Sequence, residues 1–116
     1  INCGHPPGHL VSPEGAFSEL DGPVHAPLGS GQASRHFETS QVRLDPGERL
    51  VLVTDGITER TVRGGGTFGL DGVRDAVAAA TAPTAAATAM AILQAVVAAW
   101  TKPLQDDATL VVLAVD

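Results

Sequence analysis

Glu48-Arg49-Leu50-Val51-Leu52-Val53-Thr54-Asp55-Gly56 is the stretch on which the fold turns. It follows the turn signal Asp45-Pro46-Gly47, and its four consecutive apolar residues, Leu50 to Val53, predict a strand buried on both faces. The strand stops at Asp55-Gly56, a pair common in turns. A second run of the same kind closes the chain: Ala108 to Val115, aliphatic and β-branched almost throughout, opens after Asp106-Asp107 and reads as a second buried strand. If these strands are antiparallel neighbours, the end of the first lies beside the start of the second. Asp55 and Asp106 then converge at one edge of the sheet.

Between the two strands the pattern turns helical. A short helical turn is expected from Ile57 to Val62, and Gly64-Gly65-Gly66 breaks it into a mobile hinge or flap. From Gly69 the spacing of Leu70, Val73 and Val77 marks one face of a helix running to about Ala80, with Asp71 in its first turn where the helix dipole favours a carboxylate. Pro83-Thr84 opens another helix in which Met90, Leu93, Val97 and Trp100 share a face expected to pack in the core, and Pro103 ends it. Upstream, residues 1–47 are punctuated by Pro6-Pro7-Gly8, Pro13-Glu14-Gly15, Asp21-Gly22-Pro23 and Asp45-Pro46-Gly47. Short antiparallel strands are expected between these turns, at His9 to Ser12 and along the alternating run His36 to Leu44.

The whole chain has 116 residues, room for one small domain, with 44% hydrophobic and 17% charged residues, a balance that excludes intrinsic disorder. Its formal net charge of −6 gives no basic footprint for a phosphate backbone, so no nucleic-acid partner is expected. There is no repeat and no apolar run long enough to cross a membrane. The single cysteine, Cys3, cannot form an internal disulfide, which favours a cytoplasmic setting. His5, His9, His25 and His36 lack the spacing of a zinc site and read as structural, and Cys3 with His5 lacks the third orienting group of a nucleophilic site.

The acidic strand mouths carry the chemistry. Carboxylates gathered without a nearby Lys or Arg repel unless a proton or a cation lies between them, and hard divalent ions such as Mg²⁺ or Mn²⁺ prefer oxygen ligands. Glu59, four residues beyond Asp55, would stand on the same side of a helical turn. The plainer alternative stays open: Asp-Gly and Asp-Asp are ordinary turn residues, and Glu59 an exposed helix residue paired with Arg63.

Five motifs occur in a telling order: Asn2-Cys3-Gly4-His5-Pro6-Pro7, Pro27-Leu28-Gly29, Leu44 to Leu50 running into Thr54-Asp55-Gly56-Ile57-Thr58-Glu59, Phe68-Gly69, and Asp106-Asp107-Ala108-Thr109-Leu110. Together they resemble the metal-dependent protein phosphatase family (PPM, or protein phosphatase 2C), in particular its bacterial SpoIIE-like and RsbU-like branch. The resemblance implies an α+β fold, part of an α-β-β-α sandwich of mostly antiparallel sheets. It implies a Ser/Thr phosphoprotein phosphatase in which two Mn²⁺ or Mg²⁺ ions activate a water, with a phosphorylated STAS-domain anti-sigma factor antagonist as substrate. Carried over by motif, Asp55 and Asp106 are metal ligands and Glu59 is a weaker contributor through water. Asp107 stands where the family often has Asn, and Gly56 lets the backbone pass close to the site.

The family pattern also has an N-terminal half with another strand-end Asp-Gly, whose carboxylate bridges both metals. No such element occurs here; Asp21-Gly22 falls in a loop and is no substitute. The chain, opening on Ile1, is therefore expected to be the C-terminal part of a single phosphatase domain spanning residues 1–116, with the missing Asp-Gly upstream. By itself it is expected to be inactive and to bind metal weakly or not at all. The alternative is a non-catalytic interaction or regulatory module that self-associates through exposed half-domain surface and strand edges.

Overall fold

The computed structural model describes residues 1–32 and 36–115. Four strands form one antiparallel sheet: β1 (His9–Val11), β2 (Phe17–Glu19), β3 (Arg49–Val53) and β4 (Leu110–Ala114), in the spatial order β2-β1-β3-β4. Strands β1 and β2 form a hairpin whose turn needs Gly15 at φ +90°, a backbone conformation closed to most L-residues. The long apolar run becomes β3, flanked by β1 and β4, and its register with β4 runs from Arg49 opposite Ala114 to Val53 opposite Leu110.

Residues paired across antiparallel strands share a face. The row of His9, Val11, Arg49, Val51 and Val53 is buried under the helices, and Leu110 and Val112 continue it on β4. Helices α1 (Asp55–Thr58), α2 (Gly69–Ala78) and α3 (Ala85–Ala98) follow β3 in sequence, and Ile57, Val73, Ala76, Val77, Ile92 and Val96 join the strand residues in a single core. Thr84 caps α3, accepting the Ala87 N–H at 3.2 Å.

The opposite face of the sheet departs from the expected double burial. Leu50 and Leu52 are only half-buried, and Val111 and Leu113 are 47% and 50% exposed. Both strands lie against helices on one side alone, so their continuous apolar sequence covers two different environments. The alternating run His36 to Leu44 forms no strand. There the Glu38 N–H donates to His25 Nε2 at 3.1 Å instead of to a ladder, and Phe37 meets the edge of the His25 ring.

The helices differ from expectation in two ways. The turn predicted over 57–62 forms earlier, over Asp55–Thr58, because the backbone then leaves the helix: Arg60 C=O accepts from Phe68 N–H and Thr61 bridges Thr67. The glycine run lies within a turn closed by Val62 N–H donating to Gly66 C=O. On α2, Leu70 stays exposed while Phe68 and Ala76 take up core contacts.

On α3 the predicted face is the wrong one: Met90, Leu93 and Val97 are exposed, and Thr88, Ile92 and Val96 are buried. The helix is apolar nearly all round, so hydrophobicity does not select a face. A polar contact does. Arg49, 5% exposed on β3, donates from its guanidinium to Thr88 Oγ1 at 2.9 Å across the sheet–helix interface.

Two outcomes follow from these buried polar groups. Thr88→Val should destabilise the protein by about 1–3 kcal/mol in denaturant titration, because it leaves the Arg49 guanidinium without its acceptor. His9 is 4% exposed, stacks on Phe17 at 4.7 Å, and has its pKa held below the ordinary 6.5 by burial, against a smaller opposing pull from Glu19. The unfolded chain therefore protonates first as pH falls. Stability present above pH 6.5 should be lost progressively below it, and His9→Leu should remove that part of the pH dependence of the unfolding midpoint.

Candidate functional site

Strand β3 ends at Val53, and its ladder with β4 extends one step beyond the strands: the Thr54 N–H donates to Thr109 C=O at 3.0 Å. The Thr54 hydroxyl accepts the Thr109 N–H at 3.0 Å and lies 3.2 and 3.3 Å from the Asp107 and Thr109 carbonyls, to either of which it can donate. One threonine therefore ties the exit of β3 to the entrance of β4. The chain then turns into α1, and Gly56 lies so close to the other strand's entrance that a β-carbon there would meet Asp107 O at 2.3 Å. Only glycine admits that approach.

The sequence-based convergence of the two strand mouths is thus present in the fold. Asp55 opens α1 and Asp106-Asp107 lie in the loop before β4, all three exposed. Each aspartate at the two mouths makes a local bond: Asp55 Oδ1 accepts from the Gly56 N–H at 2.9 Å, and Asp106 Oδ1 from the Asp107 N–H at 2.7 Å. A pocket of about 530 Å³ is lined by Leu104, Gln105, Asp106, Asp107 and Ala108. A larger cavity of about 730 Å³ lies against Leu50 and Leu52 on the helix-free face, and neither Asp55 nor Asp106 lines it. Its walls are mostly apolar and turn residues, so the chemistry is better sought at the strand mouths.

Glu59 sits at the end of α1, one turn beyond Asp55, whose carbonyl accepts the Glu59 N–H at 2.7 Å. The turn that would align the two residues is formed. Even so, among the described residues no three His, Cys, Asp or Glu side chains gather as a ligand group. The ion pairs among the described residues are Arg43–Asp45, Arg74–Asp71 and Arg74–Asp75, so Glu59 does not pair with Arg63, and none of these arginines pairs with Asp55, Asp106 or Asp107. Oxygen donors at a glycine-lined backbone approach, without an ion pair among the described residues, fit a hard divalent ion. Two carboxylates are fewer donors than the coordination shell of such an ion requires.

Sequence reasoning assigned no role to Thr54, Arg60 or Thr61, which hold the acidic loop in place. Arg60, 5% exposed, donates to the carbonyls of Trp100, Lys102 and Pro103, while Thr61 Oγ1 donates to Gln105 Oε1 at 3.0 Å. The one sequence signal for Arg60 is its helical spacing from Ile57, which places it toward the interior.

A family model described as stage II sporulation protein E (SpoIIE) matches residues 1–116. The chain belongs to the SpoIIE family. Its fold resembles that of the SpoIIE phosphatase domain from Bacillus subtilis, determined after a manganese presoak, at TM-score 0.70 and 16% identity, covering 97% of this chain and 48% of that one. The SiaA PP2C domain of Pseudomonas aeruginosa is similar at TM-score 0.73 and 23% identity, covering 95% and 43%. The RsbU and RsbW domains of Rv1364c from Mycobacterium tuberculosis match at TM-score 0.68 and 24% identity, covering 95% and 30%. The chain thus spans half or less of the length of these structures, and its sheet with helices on one side is an α+β part of the PP2C phosphatase fold. A search of curated proteins by sequence returns no match. No helix among the described residues is long and apolar enough to cross a membrane.

Within this family fold, the contact between Gly56 and Asp107 couples the two acidic mouths mechanically. Gly56→Ala forces a carbon against a backbone carbonyl that cannot swing aside, and should cost about 1–3 kcal/mol of stability in denaturant titration. Exchange of the Thr109 amide, which bonds to Thr54, should accelerate in the same variant.

Proposed function

We propose that residues 1–116 form part of the catalytic domain of a metal-dependent Ser/Thr phosphoprotein phosphatase whose substrate is a phosphorylated STAS-domain protein. The observation that carries this reading is the pairing of β3 with β4. It sets Asp55 and Asp106 at one sheet edge, held by Thr54 and by the Gly56 approach, with no ion pair to either among the described residues. Asp55 and Asp106 are assigned as ligands of Mn²⁺ or Mg²⁺, with Glu59 and Asp107 contributing through water. Such ions, when bound, lower the pKa of a coordinated water and neutralise charge on phosphoryl oxygens. The chain's own residues hold and orient: Thr54 fixes the spacing of the mouths, and Gly56 keeps side-chain bulk away from the approach. Two carboxylates make a weak site alone, so the remaining ligands are assigned to a part of the domain outside these residues. The likeness of the fold to the phosphatase domains of SpoIIE and SiaA and to the RsbU domain supports the phosphatase part of this reading.

A second reading has one observation behind it. The helix-free sheet face exposes Val111 and Leu113, and α3 exposes Met90, Leu93 and Val97, as a non-catalytic module that pairs with another chain would.

Phosphate release from a serine-phosphorylated STAS-domain protein by the intact protein distinguishes the two. Turnover should require Mn²⁺ or Mg²⁺, and Asp55→Asn and Asp106→Asn should each lower kcat on the order of 100-fold or more. The 116-residue chain alone should release no phosphate from p-nitrophenyl phosphate with Mn²⁺. Robust turnover by that chain, abolished in Asp55→Ala, would overturn the assignment of the remaining ligands. A phosphatase-silent intact protein that forms stable dimers in light scattering favours the second reading.

A further inference from the structure

We propose that Arg60 is a positioning residue for the candidate cation site, pinning the loop that carries Asp106 and Asp107 beside the strand mouth of Asp55. The inference rests on the assignment of Asp55 and Asp106 as cation ligands. Arg60 is 5% exposed, and an arginine so buried would ordinarily face a carboxylate. This one faces three backbone carbonyls instead. One terminal nitrogen donates to Pro103 C=O at 2.7 Å, and the other to Trp100 C=O at 3.0 Å and to Lys102 C=O.

Those carbonyls belong to the segment that leaves α3, which ends at Ala98, and they lie outside any helix or strand. A planar fork with five N–H donors can hold several such acceptors at once, whereas an ammonium acts as a point charge. Neighbouring bonds extend the clasp along the same line: Arg63 N–H to Ala99 C=O at 3.0 Å, and Thr61 Oγ1 to Gln105, the residue before Asp106. On the other side of Asp106, Thr54 holds the backbone of Asp107 and Thr109. The loop is therefore fastened on both sides, and both fasteners come from residues 54–63, the segment that contains Asp55.

A loop held in this way needs little further ordering when a cation joins its carboxylates to Asp55. A loop released at Arg60 pays that ordering entropy on binding and holds the cation less tightly. Both terminal nitrogens of Arg60 are committed to carbonyls, its buried Nε has no partner, and it forms no ion pair with Asp106 or Asp107, so it fixes the loop without competing for the site.

The test is Mn²⁺ titration of the intact protein by calorimetry, with amide hydrogen exchange over residues 104–109. Arg60→Lys and Arg60→Gln should each raise the Mn²⁺ Kd about tenfold or more, the scale on which supporting residues act at metal sites. Amides of 104–107 should exchange faster in both variants while those of β1 and β3 keep their protection. A role confined to stability would move the unfolding midpoint and leave the Kd alone. Native Kd in folded Arg60→Lys, with Asp55→Asn and Asp106→Asn abolishing binding, overturns the positioning role and leaves the ligand assignment standing. Mn²⁺ binding that survives both aspartate variants removes the ligand assignment and this inference with it. Loss of cooperative unfolding in Arg60→Lys itself assigns Arg60 to the fold as a whole and overturns the proposal too.

Discussion

The carbonyl of Asp107 occupies the space where a side chain at position 56 would begin, and the geometry of the acidic edge depends on that contact. An antiparallel ladder would by itself bring the end of β3 to the start of β4, but ladders fray at their ends and a one-step slip would turn each side chain to the opposite face. The Thr54 hydroxyl, bonded to the Thr109 amide, extends the pairing past the last strand residues. Gly56 then lets α1 begin directly over the opposite strand's entrance. Register, strand end and helix start are settled within three residues, 54–56, which is why two short acidic turns separated by about fifty positions in sequence become one place in space.

That arrangement needs a rigid floor, and the core supplies one of modest size. Its members are mostly valines and isoleucines from β1, β3 and the three helices, with strand pairs such as Val51 and Val112 on the same face. Burial of such side chains contributes roughly 1.5–3 kcal/mol each before entropy is counted. The polar pair Arg49 and Thr88 adds direction, since apolar contacts would let an alanine-rich helix rotate about its axis at little cost. A hydrogen bond between a buried guanidinium and one hydroxyl is satisfied at only one rotation of α3. The same logic explains why the opposite sheet face, where Leu50, Leu52, Val111 and Leu113 are only partly covered, carries no such polar key among the described residues.

What could be read from the sequence divides along these physical lines. Strands β3 and β4 were legible because aliphatic, β-branched runs between turn signals have few alternatives, and their antiparallel pairing followed once both were placed. The approach of Gly56 to the acidic loop was legible as motif chemistry. The buried face of α3 was not, because an apolar residue at nearly every position leaves no periodic contrast, and Met90 and Val97 looked as core-like as Ile92 and Val96. The run His36 to Leu44 misled for the opposite reason: it has the alternation of a strand, but alternation says nothing about whether a neighbouring ladder is available. Arg60 was invisible because its partners are backbone carbonyls some forty residues on, and carbonyls carry no side-chain signature. Glu59 lies between these cases. Its single helical turn from Asp55 is formed, yet that turn alone does not complete a three-ligand group.

The distribution of positive charge bears on the same edge. The chain has 7 basic residues against 13 acidic ones, so cations are scarce, and their placement is selective. Arg43 pairs with Asp45, Arg74 with Asp71 and Asp75, Arg49 is turned inward to Thr88, and Arg60 is committed to the carbonyls of residues 100, 102 and 103. Lys102 lies over the Trp100 ring at 5.5 Å. Each of these cations has a partner elsewhere, although Arg60 is only five residues from Asp55. An arginine swung onto Asp55 or Asp106 would occupy its carboxylate and close that edge to an outside cation. Moving Arg60 there would break its bonds to three carbonyls, and losing hydrogen bonds from a charged donor costs more than a surface ion pair returns, typically about 0–1 kcal/mol. The bonds that order the loop therefore also keep Arg60 off its carboxylates.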